Sequence, residues 1–294
     1  MAVNSPAVNL MLEEASWILN MSHPIKPREM RRHFGATPYV MGIIWKALVR
    51  LRLLHDHHRP KHLVWTLYSV KEYPTTSHLE RDLGVNRKTI AKYVYPLRRA
   101  FLKLIPVFVC WKNRLQDGRA LRRICNVTVD GVDMRIEEPP KKDFSTDLPY
   151  DKKWYSHKFH GPGLRYELAV AIQTGDIVHI NGPFPCGKYP DINIFRMGLK
   201  QKLEKAGEKA VADRGYQGEF RCRTPDDWVT LSNKNAMKTA RARHEAINKW
   251  IKNFRAMSQV FRHDYKIHKE FFAVAVVVTQ VEIAIHGPPW NVSF

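Results

Sequence analysis

The 294-residue chain is 44% hydrophobic, so it can bury a sizeable core in one or two domains. Its formal net charge of +20 at pH 7 predicts a polyanionic partner. Nucleic acid is favoured over an acidic membrane surface, because the sequence shows neither a basic amphipathic helix nor a lipidation motif. The four cysteines have no CxxC spacing, which argues against a disulfide scaffold and fits a reducing compartment.

Helices are predicted over residues 27–54, with Thr37 as an N-cap and Pro38 in the first turn of the second one. Because many helical hairpins share this outline, we expect packing or dimerisation here more than DNA contact. Residues 55–62 carry four histidines but no cysteine to complete a zinc site, so we interpret this segment as a solvated basic loop. A buried helix is predicted over residues 62–70.

A stronger helix-turn-helix pattern covers residues 74–103, with Gly84 in the turn and Asn86 as the N-cap of the second helix. Pro96 predicts a kink in that helix. Its outward side is predicted to carry Arg87, Lys88, Lys92, Arg98, Arg99 and Lys103. Such a helix can enter the major groove of DNA, although a solvated charged face is the alternative.

A buried strand is predicted from Ile124 to Val129, and we expect Asp130 and Gly131 to end it. A carboxylate at the rim of a sheet has a stiff backbone behind it and can hold a metal ion in a fixed place. The alternative is a hairpin aspartate, since Asp-Gly is also a turn signal.

Two antiparallel strands are predicted next, over residues 167–173 and 177–181, and a helix over residues 192–206 with Asp191 as its N-cap. A further short strand then delivers Asp213 into a glycine-rich turn. Residues 236–254 predict a basic helix that carries Glu245 beside its apolar face.

Asp130, Asp213 and Glu245 are separated by connections long enough for the three carboxylates to converge. Converging carboxylates raise one another's pKa unless cations neutralise them. Hard oxygen ligands favour Mg²⁺ or Mn²⁺ over zinc, and two such ions ~4 Å apart can clamp the oxygens of a phosphoryl displacement. Glu219 and Glu270 are rival third carboxylates. We prefer Glu245 because cations surround it, including Lys238, Arg241 and Lys249.

Five segments resemble, in the same order, the catalytic domain of DDE transposases: VTVDGVD, WYSHKFHGPGLRYE, GPFPCGKYPDINIF, ADRGYQG and RARHEAINKWIKNF. The resemblance extends from about residue 124 to residue 285 and is nearest to the PIF/Harbinger group and related bacterial insertion sequences. It implies a ribonuclease-H-like fold with Asp130, Asp213 and Glu245 as the metal-binding triad. It also implies a DNA-facing hairpin with Lys158 and Arg165 as phosphate contacts, and a position near the active site for Asp191.

The predicted fold is therefore α+β, in three parts. Residues 1–110 form a helical helix-turn-helix region for DNA binding or dimerisation, residues 111–123 a basic hinge, and residues 124–294 a ribonuclease-H-like catalytic domain. The apolar run at residues 271–285 is too short to span a bilayer and is expected as a buried element of the catalytic core.

The predicted function is a DNA transposase that uses two Mg²⁺ or Mn²⁺ ions to cut transposon ends and join them to target DNA. A domesticated protein that binds DNA without cutting it is the alternative. We expect a homodimer or larger assembly on DNA, with residues 11–54 as its interface. The resemblance also raises a Myb-like accessory protein. The expected location is the nucleus of a eukaryotic host, or the cytoplasm and nucleoid of a bacterial one.

Overall fold

The computed structural model describes residues 5–115, 124–139, 151–228 and 230–292. The chain forms two compact units, each assembled from separated segments. Unit 1 takes the helices up to Phe108 together with Trp250–Gln259 and Lys269–Ile285, and unit 2 takes Val109–Lys249, Val260–His268 and the residues from His286 onward. The sequence predicted contiguous regions instead, and residues 116–123 of the predicted hinge lie outside the described residues.

The helices and strands of the described residues follow in chain order. The helices are α1 (Pro6–Ile18), α2 (Pro27–Phe34), α3 (Pro38–Arg50), α4 (Pro60–Lys71), α5 (Thr76–Leu83), α6 (Arg87–Phe108), α7 (Asp191–Met197), α8 (Leu199–Ala206), α9 (Leu231–Lys252), α10 (Arg255–Ser258) and α11 (His268–His286). The strands are β1 (Cys125–Arg135), β2 (Tyr155–Ser156), β3 (Gly161–Ala171), β4 (Ile177–Pro185), β5 (Lys209–Val211) and β6 (Cys222–Arg223).

Local capping explains the helix boundaries of unit 1. The Thr37 hydroxyl accepts a hydrogen bond from the backbone N–H of Val40 at the start of α3, as predicted. Gly84 has a φ of 60° between α5 and α6, a left-handed conformation that favours glycine. Asn86 Oδ1 accepts the backbone N–H of Thr89 at 2.9 Å, which confirms the predicted cap. The two predicted helices and their turn are thus present, and α6 continues through Pro96.

The outward placement of Arg98 is wrong. Arg98 follows Val94 by four residues and precedes Phe101 by three, so it lies on the apolar stripe of α6. Its side chain is buried, with the guanidinium 3.1 Å from a carboxylate oxygen of Glu270 on α11 and 4.1 Å from the centroid of the Phe271 ring. Arg87, Lys88, Lys92, Arg99 and Lys103 are exposed, as the sequence predicted.

The histidine segment at residues 55–62, which runs into the start of α4, is only partly the solvated loop that the sequence predicted. His58 and His62 are buried, and the His62 ring stacks on Tyr93 with centroids 4.0 Å apart. Burial lowers the pKa of His62 to about 3, with nearby His58 and Lys61 acting in the same direction, so this ring is neutral. These two histidines therefore serve the packing of α4 against α6.

The mixed sheet predicted for the second half of the chain is confirmed in unit 2. Its strand order is β2-β3-β1-β5-β6, and β4 also pairs with β3. β1 and β4 are antiparallel to β3, whereas β5 runs parallel to both β1 and β6. Two helices, α7 and α8, supply Phe195, Leu199 and Leu203 to the core on one face of this sheet.

The predicted end of the first strand is wrong. β1 passes through Asp130 and Gly131 and continues to Arg135, paired with β3 along that length. Its parallel pairing with β5 stops at Thr128, because β5 itself ends at Val211. Asp130 therefore lies at the end of the parallel ladder rather than at the end of its own strand.

The apolar run at residues 271–285 is a buried helix, α11. It belongs to unit 1 rather than to the sheet of unit 2. Among the described residues, no helix is both long enough and apolar enough to span a bilayer.

Candidate active site

Asp130 and Asp213 come from neighbouring parallel strands. Thr128 of β1 is level with Val211 of β5. Asp130 and Asp213 each follow this pair by two residues, so they lie side by side at the carboxyl end of the parallel ladder. Carboxyl ends of parallel strands are the usual location of ligands in open sheets. The structure therefore confirms the prediction that a short strand, β5, is followed closely by Asp213.

Both aspartates are held by neutral hydrogen-bond donors. Asp130 Oδ1 accepts its neighbour's N–H, from Gly131, at 2.9 Å, and its Oδ2 accepts Asn248 Nδ2 of α9 at 3.1 Å. Asp213 Oδ1 accepts the backbone N–H of Gly215 at 2.8 Å and so caps the short 3₁₀ turn that follows. Neither carboxylate is neutralised by an ion pair among the described residues.

A third aspartate, Asp191, lies on the other side of β1. Its carboxylate sits against Gly131, where the Cβ of any other residue would collide with it. Gly131 is therefore required by close approach and not by a turn, which is why β1 passes through it without a break. Asp191 is the first residue of α7 and follows the N-cap Pro190. The predicted N-cap role of Asp191 is wrong, because its carboxylate faces Gly131 and Arg165 instead.

Burial and neighbouring carboxylates raise the pKa of Asp130 and of Asp191. Burial raises the pKa of Asp130 to about 6, with Lys158 opposing the rise and the charges of Asp213 and Asp191 adding to it. Burial also raises the pKa of Asp191, against the opposing effects of Arg165 and Lys158. A site in which carboxylates raise one another's pKa favours a bound cation.

Two cations border these acids. Lys158 Nζ donates to the Gly131 carbonyl oxygen at 3.0 Å. The Arg165 guanidinium donates to both carboxylate oxygens of Asp133, at 2.7 and 2.8 Å, and its Nε lies 3.3 Å from Asp191 Oδ1. Arg165, predicted as a phosphate contact, is therefore largely committed to Asp133, whereas Lys158 is exposed at the edge of the site.

Glu245 stands apart from the paired aspartates. It is exposed on α9, three residues before Asn248, and makes no hydrogen bond or ion pair with any described residue. Its two rivals are already neutralised. Glu219 is within 3.0 Å of Arg196 and Lys200, and Glu270 pairs with Arg98 and Arg99.

The donor set fits a divalent cation in chemistry. Carboxylate oxygens are the ligands that Mg²⁺ and Mn²⁺ prefer, and neither Asp130 nor Asp213 forms an ion pair within the described part of the chain. In residues 5–115, 124–139, 151–228 and 230–292, no three His, Cys, Asp or Glu side chains are grouped closely enough to hold a metal ion. The fit thus rests on the paired aspartates, with Asp191 and Glu245 as the candidates for a further ligand.

The remaining predicted DNA contacts of this half lie on α9. Lys238 and Lys249 are exposed and Arg241 is partly exposed. Arg243, a further cation of α9, is buried and donates to the Ala171 carbonyl oxygen at 2.8 Å. The three predicted cations are thus accessible to solvent, whereas Arg243 holds the helix against β3.

Sequence reasoning missed Asn248 and the role of Asp133. Asn248 is neutral and lies within a basic helix, and only its contact with Asp130 marks it. Asp133 follows Asp130 by three residues, and its partner Arg165 lies 32 residues away, which the strand pairing of β1 with β3 alone brings together. The alternation of side chains along β1 is the signal that separates Asp130 and Asp133 onto opposite faces.

The aspartates of this site lie within a region that matches a known protein family. A family model described as DDE superfamily endonuclease matches residues 129–280. The match starts one residue before Asp130 and contains Asp191, Asp213, Glu245 and Asn248. No curated protein and no solved structure matches the chain. Because the family model covers more than half of the 294 residues, the chain belongs to the DDE superfamily endonucleases.

Proposed function

We propose that this protein is a DNA transposase of the PIF/Harbinger kind, a metal-dependent endonuclease that cuts transposon ends and transfers the strand to target DNA. The observation that carries the proposal is the pair of aspartates, Asp130 and Asp213, side by side where the parallel ladder of β1 and β5 ends, neither of them in an ion pair with any described residue. The sheet supports a ribonuclease-H-like catalytic domain, since β1, β2 and β4 pair antiparallel with β3 whereas β5 and β6 continue the sheet in parallel with β1.

Asp130 and Asp213 would hold Mg²⁺ or Mn²⁺, with Glu245 or Asp191 completing the set. Bound divalent cations supply the positive charge that activates the attacking oxygen and stabilises the leaving one in phosphodiester cleavage. No Ser or Tyr nucleophile is needed, because a water and then the freed 3′-hydroxyl act as the attacking groups. Lys158 lies within the electrostatic reach of Asp130 and would hold a DNA phosphate beside it.

DNA binding is assigned to two exposed basic surfaces. The first lies on α6 and carries Arg87, Lys88, Lys92 and Arg99. The second lies on α9 and carries Lys238, Arg241 and Lys249. Helix α6 follows α5 after the tight turn at Gly84, which supports a helix-turn-helix reading with the first turn of α6 at base edges and its later cations at phosphates. Because two ends must be cut and joined, the active form is a homodimer or larger assembly on DNA. A DNA-binding region within the chain would reduce the need for the separate Myb-like partner that the resemblance raises.

The alternative is a domesticated protein that binds DNA without cutting it. The test is a plasmid-nicking assay with Mn²⁺ on the wild type and on Asp130→Asn and Asp213→Asn, with DNA binding measured in parallel. We expect wild-type nicking that EDTA stops, no nicking by either variant, and unchanged DNA binding by both. Metal-dependent nicking that persists in either variant contradicts the assigned site, and a wild type that binds DNA without nicking it favours the domesticated alternative.

A further inference from the structure

Asn248 touches the candidate metal site directly. Its side chain is buried on α9, 8% exposed, and its Nδ2 donates to Asp130 Oδ2 at 3.1 Å. Its own amide oxygen, Oδ1, is also buried and has no hydrogen-bond partner in the described part of the chain. Buried side-chain oxygens are normally hydrogen-bonded, so this one calls for a donor that the described residues do not supply.

The chemistry of the donor distinguishes Asp130 from Asp133 and Glu270, two buried acids that are paired with cations. Asp133 is held by the Arg165 guanidinium, and Glu270 by those of Arg98 and Arg99. Those cations neutralise the carboxylates that they hold. The Asn248 amide fixes the carboxylate by a hydrogen bond and adds no positive charge. Each Asp130 oxygen accepts a single bond in this arrangement and retains a lone pair for a cation.

A second polar contact joins the same helix to the same strand one turn earlier. The Thr128 hydroxyl lies 2.8 Å from His244 Nδ1, and both side chains are buried. Thr128 precedes Asp130 by two residues on the same face of β1. This contact packs α9 against β1, which is all that Asn248 would do if its role were only structural. The Thr128–His244 pair contacts neither Asp130 nor Asp213. It therefore provides a matched comparison.

We propose that Asn248 is the positioning residue of the metal site. Its Nδ2 fixes the carboxylate of Asp130 in the orientation that receives a divalent cation, and its Oδ1 accepts a hydrogen bond from the cation's hydration water. This proposal rests on the proposed metal-dependent function. It explains why an amide, and not a lysine or arginine, occupies this position of an otherwise basic helix.

The test compares Asn248→Leu, which has a similar size and no hydrogen-bonding group, with Thr128→Val, using the full chain. Mn²⁺ binding is measured by titration calorimetry in the absence of DNA, and unfolding is followed in the same samples without metal. We expect Asn248→Leu to weaken Mn²⁺ binding by about 10–100-fold, as loss of a partner that orients a metal ligand does. We expect Thr128→Val to lower the melting temperature and leave the Mn²⁺ dissociation constant unchanged. Asn248→Ser, which is too short to reach Asp130, should reproduce the weakened binding if the leucine variant does not fold.

Nicking assays extend the test. For Asn248→Leu the Mn²⁺ concentration that gives half-maximal nicking should rise by the same factor, and saturating Mn²⁺ should restore much of the rate. Equal Mn²⁺ affinity in the wild type and both Asn248 variants overturns the proposal and leaves the proposed function standing. Equal weakening in Thr128→Val also overturns it, because packing of α9 would then be the cause. A wild type that binds no Mn²⁺ overturns the proposed metal site together with the role of Asn248.

Discussion

Glu270 in unit 1 and Asp130 in unit 2 are two acids with different surroundings. Glu270 is buried and pairs with two guanidinium groups, and the buried Arg98 also lies over the Phe271 ring. Asp130 is half-buried and, among the described residues, accepts only the Gly131 backbone N–H and the Asn248 amide, beside two further aspartates. A carboxylate that only supports the fold is neutralised, because an unpaired buried charge is costly.

We propose that this difference separates structural from functional acids in the same chain. Glu219 and Asp133 follow the pattern of Glu270, since each is held by cations. Asp130 and Asp213 do not. In the proposed metal site, a bound ion would recover the free energy lost by leaving these two carboxylates without a cation. Substitutions on the two sides of this comparison should therefore have opposite dependence on metal.

The largest expected effect concerns the third carboxylate. If Glu245 completes the site, Glu245→Gln should reduce nicking by several orders of magnitude, whereas Asp191→Asn should reduce it less. The family resemblance favours Glu245, and the position of Asp191 against Gly131 favours Asp191. Single-turnover nicking rates of the two variants at saturating Mn²⁺ decide between them. A severe loss in Asp191→Asn with a mild one in Glu245→Gln would give the position to Asp191.

The structural side of the comparison predicts a large effect on stability without metal. Glu270→Gln leaves the Arg98 guanidinium buried without a counter-charge, and we expect a loss of ~3–5 kcal/mol in the free energy of unfolding. Arg99→Ala is the matched control. Arg99 contacts the same acid but is 70% exposed, so its removal should cost about 1 kcal/mol or less. Urea unfolding with and without Mn²⁺ measures both, and a metal-dependent loss in Glu270→Gln would contradict its structural role.

Much of this comparison could be read from the sequence. Short apolar runs before Asp130 and Asp213 identified both strands, and Thr37, Gly84 and Asn86 identified helix boundaries through local chemistry. Local signals of this kind depend on a few neighbouring residues. They fail where a distant residue decides the outcome. In the sequence Gly131 is typical of a turn. The carboxylate of Asp191, which leaves room only for glycine at this position, lies 60 residues away.

The same limit explains the treatment of Arg98. A basic side chain is assigned to solvent by default, and only the contact with Glu270, 172 residues further on, reverses this. Its spacing from Val94 and Phe101 was the available signal, since it placed the residue on the apolar stripe. Asn248 gave no signal of charge or hydropathy. A neutral amide in a basic helix becomes informative only once Asp130 is known to face it.

Glu167 is a third kind of buried acid, and it should make the stability of the fold depend on pH. Burial, reinforced by the charge of Asp191, raises its pKa from 4.5 to about 8. The folded state therefore binds a proton that the unfolded state releases above pH 4.5. Stability should fall as pH rises from about 5 to 8, by a few kcal/mol at ~1.4 kcal/mol per pKa unit. Glu167→Gln should remove much of this slope, and urea midpoints at pH 5, 6, 7 and 8 measure it. An unchanged slope would assign the dependence to other groups.

Adding metal should reverse the order of stability of Asp130→Asn and the wild type. Without metal it removes a carboxylate that repels Asp213 and Asp191, so we expect it to be no less stable than the wild type. With Mn²⁺ at about 100 times its dissociation constant, only the wild type gains roughly 2.7 kcal/mol. Thermal melts with and without Mn²⁺ show the reversal as a shift of several degrees. If Asp130 were structural instead, the variant would lose ~1–3 kcal/mol in both conditions.

The smallest effects concern cations that face solvent rather than a carboxylate. Arg87 and Lys88 begin α6, and both are exposed. Each phosphate contact that is lost should lower the slope of log K against log salt by ~0.9 and weaken binding to all sequences, whereas a lost base contact should relax sequence preference without changing the slope. Alanine variants at these two positions separate the alternatives. Lys205, exposed on α8, is the control, since Lys205→Ala removes one positive charge outside both proposed DNA surfaces. An equal loss in the control would reduce the effect to net charge. Unchanged affinity and slope in both α6 variants would remove α6 from the DNA-binding surface and leave the cations of α9 to carry it.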